Sequence, residues 1–388
     1  MNQELVYLSY NNDDKSLIQR SEEILDEFFK GQNYHWIQDS GNVLFIASGG
    51  SERKAVHVTR DFQFIILLCH REENSFAATL EIAAWLLDQG KKVSIIDVFA
   101  EGALNELLQV QQVFEALKKL KGQKAALIGE VSDWLIISDV EDKSIRNKLG
   151  IEIKRLPWEE IGNHQDTEVS NSFLKYFPEQ KPEHLNATSR VYSLLKNAIE
   201  KYNLSAISVE CFSMVMRDQV TACLPLSVLN AQNKVAACEG DMVSMIGKML
   251  IRELTDKIPW QANVAEIKEE IILLAHCTAP LNAIKSFDVT THFETGVGTA
   301  IKGKFAKDKK AVFRLNNGLD KYMLIEGEIT ETPAHSFACR TQIELSTSKD
   351  QTQLLKEKSL GNHHLVFPAE HVPLIIKMMG VLEIDRVL

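Results

Sequence analysis

The stretch Val235-Ala236-Ala237-Cys238-Glu239-Gly240-Asp241 runs directly into Met242–Leu254, a segment whose apolar residues recur with a helical period. The small apolar run at its start predicts a buried strand, and the periodic segment predicts an amphipathic helix. A strand that leads into a helix is the repeating unit of α/β proteins. The two acidic residues between them lie where open α/β sheets bind ligands.

The N-terminal third repeats this alternation of apolar runs and helical segments. Stretches Ser75–Asp88 and Leu104–Leu120 have a helical period. The buried strands predicted between and around them are Val43–Ala47, Phe64–Cys69, Val93–Val98 and Ala125–Ile128. Strands separated by helices predict a parallel sheet with both faces covered. We therefore expect a first Rossmann-like domain over residues 1–138.

A second α/β domain is predicted over residues 139–284, and it carries Asp241. Its predicted elements are helices Ser144–Leu149 and Arg190–Tyr202 and strands Ile151–Lys154, Ala206–Cys211, Val235–Cys238 and Ile271–Ala275. From residue 285, short segments in which apolar and polar residues alternate are separated by turns that contain Gly, Asn or Asp. This pattern predicts an antiparallel β domain over 285–388. The predicted fold is α/β, with two Rossmann-like three-layer domains followed by an antiparallel β C-terminal domain.

Composition limits the classes of partner and compartment. The chain has 388 residues and a formal net charge of −10. Nucleic acids and anionic membranes attract proteins with a basic face, so neither is an expected partner. No apolar run reaches the ~18–20 residues that span a bilayer, and the start Met1-Asn2-Gln3-Glu4 lacks the features of a signal peptide. The six cysteines are scattered without a CxxC pair, which favours reduced thiols in the cytoplasm.

The residues that follow buried runs are candidates for chemistry, and each has a structural alternative. Asp241 is placed to bind a ligand or to cap the following helix, and it can do both. His276 is a candidate metal ligand or base, or a histidine satisfied at a strand end. His363 and His364 are adjacent, so in an extended segment at most one of them faces a given site.

The loop Ser48-Gly49-Gly50-Ser51-Glu52 follows a predicted strand. Its backbone N–H groups suit a phosphate or a polyol, although a plain turn explains it equally well. It matches neither the dinucleotide fingerprint nor the P-loop, so a nucleotide cofactor is disfavoured. The carboxylates and imidazoles together form an oxygen and nitrogen set that suits Mn²⁺ or Mg²⁺ better than a thiolate zinc site.

Several motifs, in order along the chain, resemble the L-fucose isomerase-like family, which is related more distantly to the arabinose isomerases. The matching stretches are Gly49–Glu52, Asn74-Ser75, Ser132–Leu135, Thr221–Leu224, Leu229-Asn230, Ala236–Asp241, Pro259–Val264, Leu274–Pro280, His292–Gly298, Cys339–Gln342 and Gly361–His364. Their order is more specific than any one of them.

The resemblance implies an aldose–ketose isomerase that uses Mn²⁺ (or Mg²⁺) and an enediol. It also implies a homo-oligomer, a hexamer or trimer, with active sites between subunits. Matched by position, Asp241 and His363 are the expected metal ligands, with His363 chosen over His364. Glu239 and His276 are expected near the sugar, and the N-terminal matches add Ser51 and Asn74 as sugar-binding residues.

One departure from the family pattern concerns the catalytic base. The fucose isomerases use a glutamate upstream of the metal aspartate, but here the segment Thr221–Leu226 holds no acid and Cys223 stands near the expected position. The nearest acids are Glu210 and Asp218, and either could reach the site. Glu210, at the end of a predicted strand, is better placed and becomes the candidate base and a third metal ligand, so Glu210 and Asp241 are the predicted catalytic residues. The alternatives are a sugar-binding or regulatory homologue without the base, and a metal-assisted reaction on a sugar acid or sugar phosphate.

Overall fold

The computed structural model describes residues 2–388, and its strands form two parallel sheets, one large antiparallel sheet and one two-stranded hairpin. The chain divides into two units, the first ending at Glu115 and the second running from Ala116 to Leu388. The predicted combination of parallel α/β sheets with an antiparallel C-terminal sheet is confirmed at this level. The predicted division into three domains stays a prediction.

The first unit holds a five-stranded parallel sheet in the order β2-β1-β3-β4-β5. Its strands are β1 Gln3–Leu8, β2 Tyr34–Ile37, β3 Val43–Ile46, β4 Phe64–Cys69 and β5 Lys92–Asp97. The helices that begin in it are α1 Lys15–Phe29, α2 Glu52–Val58, α3 Ser75–Asp88 and α4 Ala103–Leu120. All four residues of β3 are buried, as expected for a central strand covered on both faces.

The second unit begins with a four-stranded parallel sheet in the order β7-β6-β8-β9. Its strands are β6 Lys124–Ile128, β7 Glu152–Leu156, β8 Ala206–Val209 and β9 Val235–Cys238. The helices of this part are α5 Asp142–Leu149, α6 Trp158–Ile161, α7 Asn171–Leu174, α8 Pro182–Tyr202, α9 Phe212–Asp218, α10 Cys223–Ala231 and α11 Met242–Thr255. Strand β9 and helix α11 match the strand and helix expected on either side of Asp241.

The remaining strands of the second unit form a seven-stranded sheet in the order β14-β17-β10-β11-β16-β15-β18. Strand β14 also pairs with β15, so six strands close on themselves, and all of these pairs except β15–β18 are antiparallel. These strands and the separate hairpin β12–β13 are β10 Trp260–Lys268, β11 Ile271–His276, β12 Ser286–Thr290, β13 Ala300–Lys304, β14 Lys309–Leu315, β15 Lys321–Glu331, β16 Thr341–Ser346, β17 His364–Pro368 and β18 Asp385–Arg386. Helices α12 Lys349–Glu357 and α13 Val372–Val381 complete the chain.

Two strands lie in a different sheet from the one that the sequence suggests. Strand β6 precedes the predicted boundary at residue 138, yet it pairs with β7 and β8 of the second unit. Strand β11 was expected in the second α/β domain, but it pairs antiparallel with β10 and β16. A short apolar run has the same appearance in either setting, because pairing partners distant in the sequence decide the sheet. Within residues 2–388, no helix has the length and apolar character required to cross a bilayer.

Candidate metal and sugar site

The turn between β9 and α11 brings two carboxylates to one place. Glu239 and Gly240 both have left-handed backbones, with φ values of 63° and 69°, and Asp241 is the N-cap of α11. A Cβ at position 240 would collide with the carbonyl oxygen of Glu130 and lie 2.9 Å from Cα of Val131. Glycine is therefore required here both by the backbone conformation and by the approach of the neighbouring loop.

We expect Gly240→Ala to lower the free energy of unfolding by about 2–4 kcal/mol, through left-handed strain and displacement of that loop. Gly380→Ala is the matched control, because a Cβ there meets no atom within 4 Å and position 380 lies in α13. The control should raise the free energy of unfolding by about 0.5–1 kcal/mol. Urea denaturation measures both changes, and equal stability of Gly240→Ala and wild type would contradict the close approach.

The Asp241 side chain is fully buried and has several partners. Oδ1 accepts a hydrogen bond from the Ser244 backbone N–H at 2.7 Å, and Oδ2 accepts one from the Ser244 hydroxyl at 2.9 Å. Oδ2 also lies 2.9 Å from Nδ1 of His363 and 3.6 Å from Nη1 of Arg314. Asp241 is thus a helix cap, as the structural alternative predicts, and it also contacts the histidine that the sequence pairs with it.

Arg314 on β14 contacts both the Asp241 carboxylate and the backbone of His363. Its Nη1 donates to the carbonyl oxygen of His363 at 2.5 Å, its Nη2 to the Ser138 hydroxyl at 2.9 Å, and its Nε to the carbonyl oxygen of Leu360 at 2.8 Å. Gly361 lies against the guanidinium, where a Cβ would clash, and its φ is 124°. A buried, always charged group with a carboxylate partner and three neutral acceptors fixes the position of the segment before β17.

His363 is oriented by Asp241 toward Glu239. Because Nδ1 donates its proton to Asp241, Nε2 faces the Glu239 carboxylate, with Oε1 3.5 Å away. Burial lowers the pKa of this imidazole, but the Glu239 charge and the Asp241 hydrogen bond outweigh burial and raise it to about 9. The neighbouring His364 contacts the Asn362 carbonyl oxygen instead, so only one of the two adjacent histidines faces Asp241.

The Glu239 carboxylate is the point on which the side chains converge. Oε1 lies 3.5 Å from Nε2 of both His276 and His363, and Oε2 accepts a hydrogen bond from the Trp134 indole at 2.7 Å. Burial raises the pKa of Glu239, yet the two imidazoles more than compensate and hold it well below its usual range. Glu239 is therefore a buried anion at neutral pH.

His276 ends β11, and its Nε2 is buried with no hydrogen-bond partner among residues 2–388. Its Nδ1 lies 3.2 Å from the Thr278 backbone N–H and 2.9 Å from the Thr278 hydroxyl. The backbone N–H favours the tautomer that carries its proton on Nε2. A ligand role for Nε2 requires the opposite tautomer, with the Thr278 hydroxyl as the acceptor.

Cys238 completes a cluster with Glu239 and His276, in which the candidate ligand atoms lie within 4.8 Å of one another. Its Sγ is 4.0 Å from Sγ of Cys211, and this contact and burial raise the pKa of the thiol well above its usual value. A protonated thiol is a poor ligand for a hard cation. Glu239 fits a divalent cation directly, whereas His363 must first lose its Nε2 proton and His276 must adopt its less favoured tautomer.

Glu210 follows β8 and lies beside a cavity rather than in this cluster. Its Oε1 accepts a hydrogen bond from the Ser213 backbone N–H at 2.9 Å, and its Oε2 accepts one from the Ser213 hydroxyl at 2.5 Å. Cys223 begins α10 in an apolar group, and burial raises the pKa of its thiol well above the usual value. The charge of Glu294 also contributes to raising the pKa of this thiol.

The two predicted sugar-binding residues of the N-terminal region belong to the first unit. The Ser51 hydroxyl is buried and donates to the Ser48 carbonyl oxygen at 2.9 Å. Asn74 precedes α3 with φ at 57°, and the N–H of Gly49 donates to the Glu73 carbonyl oxygen. The two loops are thus neighbours, and their role in binding a sugar stays a prediction.

Three partners of the site were not expected from the sequence. Arg314 lies in an alternating strand, and no motif there indicates a role in the site. The only indication for Trp134 is that it lies in Ser132–Leu135, one of the stretches that resemble the family. Gln261 accepts from the Cys238 backbone N–H at 3.1 Å and lies 3.3 Å from Nδ1 of His363. Gln261 lies in Pro259–Val264, which resembles the family but for which the sequence predicts no role.

Comparison with known proteins adds no family to these observations. No protein-family model matches the chain, and no curated protein matches it.

Proposed function

We propose that the chain is a sugar isomerase-like enzyme that interconverts an aldose and a ketose through a metal-assisted enediol. The observation that carries this proposal is the convergence of two imidazole Nε2 atoms on Oε1 of Glu239, with His363 oriented by the Asp241 carboxylate. The resemblance to the L-fucose isomerase-like family supports it. So does the cavity beside Glu239, because Trp134 both lines that cavity and contacts the carboxylate.

The proposed cofactor is Mn²⁺ (or Mg²⁺), held by Glu239 and His363. Asp241 then acts on the cation through His363, as carboxylates behind metal-bound histidines do. The sequence expectation that Asp241 and Glu210 are themselves ligands stays a prediction; in both residues the carboxylate oxygens accept hydrogen bonds from a serine three residues further on, Ser244 and Ser213. When bound, such a cation polarises the sugar oxygens and stabilises negative charge on them.

The chain's own groups would bind and move protons. In its favoured tautomer His276 donates from Nε2, which suits a sugar oxygen held beside Glu239. Glu210 remains the proposed base that moves a proton between C1 and C2, since it lines the cavity. Cys223 is unsuited to this role, because its buried thiol stays protonated.

The wider proposal concerns assembly and setting. We infer that the two parallel sheets are Rossmann-like three-layer units, and that the chain forms a homo-oligomer, a hexamer or trimer, with active sites between subunits. The proposed setting is the cytoplasm, and the proposed partner is a small-molecule sugar rather than a nucleic acid or a membrane. The resemblance to the fucose isomerases supports the assembly, and the scattered reduced cysteines support the compartment.

A second candidate function is a sugar-binding or regulatory homologue that has lost the catalytic glutamate. Two features favour it: Cys223 stands where the resemblance expects the glutamate, and both Glu210 oxygens are engaged by Ser213. Such a protein would keep the metal cluster and the cavity.

Metal and turnover measurements on matched variants test the proposal. We expect the chain to bind Mn²⁺ and to convert at least one aldose of a panel. Glu239→Gln and His363→Gln should weaken Mn²⁺ binding by more than about 100-fold, because loss of an outer partner alone costs about 10–100-fold. His276→Gln should lose less, and the exposed His335→Gln serves as the control.

Calorimetric titration with Mn²⁺ and chromatography of the sugar products provide the two measurements. Unchanged Mn²⁺ binding by Glu239→Gln would place the cation elsewhere and overturn the site. Sugar binding without conversion over long incubation would favour the second candidate.

A further inference from the structure

The cavity beside Glu239 has a volume of about 350 Å³ and is lined mainly by acidic and aromatic residues. It is formed by the loop after β6, the start of α6 and the start of α9. Four carboxylates line it: Glu130, Asp133, Glu159 and Glu210. Among the described residues that line it, none is lysine, arginine or histidine.

Aromatic rings form the other walls. Trp134 and Phe212 meet edge to face with their ring centroids 4.7 Å apart, and Trp158 lines the same cavity. Both indole N–H groups are used within the protein, by Glu239 Oε2 at 2.7 Å and by the Glu210 carbonyl oxygen at 3.1 Å. The rings can therefore offer a ligand their π-faces, which attract the C–H face of a sugar or a cation.

A buried hydroxyl supplies a separate sign that this cavity takes a polar ligand. Ser132 lines the cavity with only 5 % of its surface exposed, and its Oγ has no hydrogen-bond partner among residues 2–388. A buried polar atom without a partner costs free energy, and a ligand hydroxyl would remove that cost. The Ser132 backbone N–H donates to the Glu239 carbonyl oxygen, which ties this residue to the proposed metal site.

We propose that this cavity binds a monosaccharide that carries neither phosphate nor carboxylate, and that it binds an amino-substituted sugar more tightly than the neutral parent. The inference rests on the proposed function, whose sugar substrate it restricts. Four carboxylates without a basic residue in the lining repel an anionic group and attract an ammonium, while the indole faces favour the same cation. A sugar phosphate or a sugar acid is therefore expected to bind more weakly than the neutral sugar.

Calorimetric titration of the Mn²⁺-loaded full chain with charge-matched ligands tests this order. The probes are D-glucose, D-glucosamine, D-glucose 6-phosphate and D-glucuronate, together with the corresponding D-galactose series. We expect the amino sugar to bind best, and both anions to bind at least about tenfold more weakly than the neutral sugar. Tighter binding of either anion overturns the inference, and so does failure of every probe to bind.

Charge variants distinguish an effect of the carboxylates that line the cavity from an effect of other surface charges. Glu130→Gln and Glu159→Gln should each reduce the difference in affinity between the amino sugar and the phosphate, whereas the exposed neighbour Glu160→Gln should leave it unchanged. Ser132→Ala should weaken all neutral and amino sugars alike. Turnover of a sugar phosphate would overturn the charge selection but support the isomerase, whereas the expected binding order without turnover would support the selection alone.

Discussion

Asp241→Asn is expected to weaken Mn²⁺ binding by about 10–100-fold while leaving helix α11 intact. Asparagine caps a helix about as well as aspartate, so the bond to the Ser244 backbone N–H can persist. The charge-assisted bond to Nδ1 of His363 is lost, and with it the orientation that presents Nε2 to Glu239. The effect therefore reports the second role of Asp241, apart from its capping role.

Ser244→Ala is the control for this variant, because it removes the hydroxyl bond to Oδ2 but keeps the carboxylate. Its Mn²⁺ affinity should change by less than about tenfold. Calorimetric Mn²⁺ titration measures both variants, and far-UV circular dichroism checks the helix. If Asp241→Asn binds Mn²⁺ as tightly as wild type while His363→Gln does not, Asp241 is a cap only.

Arg314→Met is expected to lower the free energy of unfolding by about 3–5 kcal/mol, the usual result of removing one partner from a buried ion pair. The guanidinium is 1 % exposed and bonds Ser138, Leu360 and His363 besides facing Asp241. Without it, two carbonyl oxygens and a hydroxyl lose their donors, and His363 alone opposes the Asp241 charge. Urea denaturation followed by circular dichroism measures the change.

A double-mutant cycle identifies the ion pair as the cause. Asp241→Asn combined with Arg314→Met should be less destabilised than the sum of the single variants, because neither charge is left buried alone. Arg314→Lys keeps the charge without the planar fork and should fall between wild type and Arg314→Met. Strict additivity in the cycle would show that Arg314 acts through its neutral hydrogen bonds only.

The sequence predicts the local parts of this site better than its long-range partners. The strand, the acidic turn and the helix around Asp241 follow from an apolar run, a glycine and a helical period within about twenty residues. The adjacency of His363 and His364 likewise predicts that only one faces the site, as the structure shows. These inferences need no knowledge of which strands pair.

Arg314 and the position of β11 could not be predicted in the same way. An arginine in an alternating strand is ordinarily predicted to face solvent. Arg314 is buried against His363 only because β14 pairs with β17. The sequence of strand β11 resembles that of any other buried strand. Its antiparallel partners are β10, just before it, and β16, which begins at residue 341. Tertiary pairing overrides local pattern at both places.

The closed ring of strands also dictates when the site can form during synthesis. Asp241 leaves the ribosome 122 residues before His363, which is about 6–24 s at ~5–20 residues per second. Strand β17 pairs with both β10 and β14, so the ring stays open until this late segment arrives. We therefore expect slow folding governed by contacts distant in sequence, and a nascent chain in which the proposed cation site stays incomplete until residue 363 has emerged.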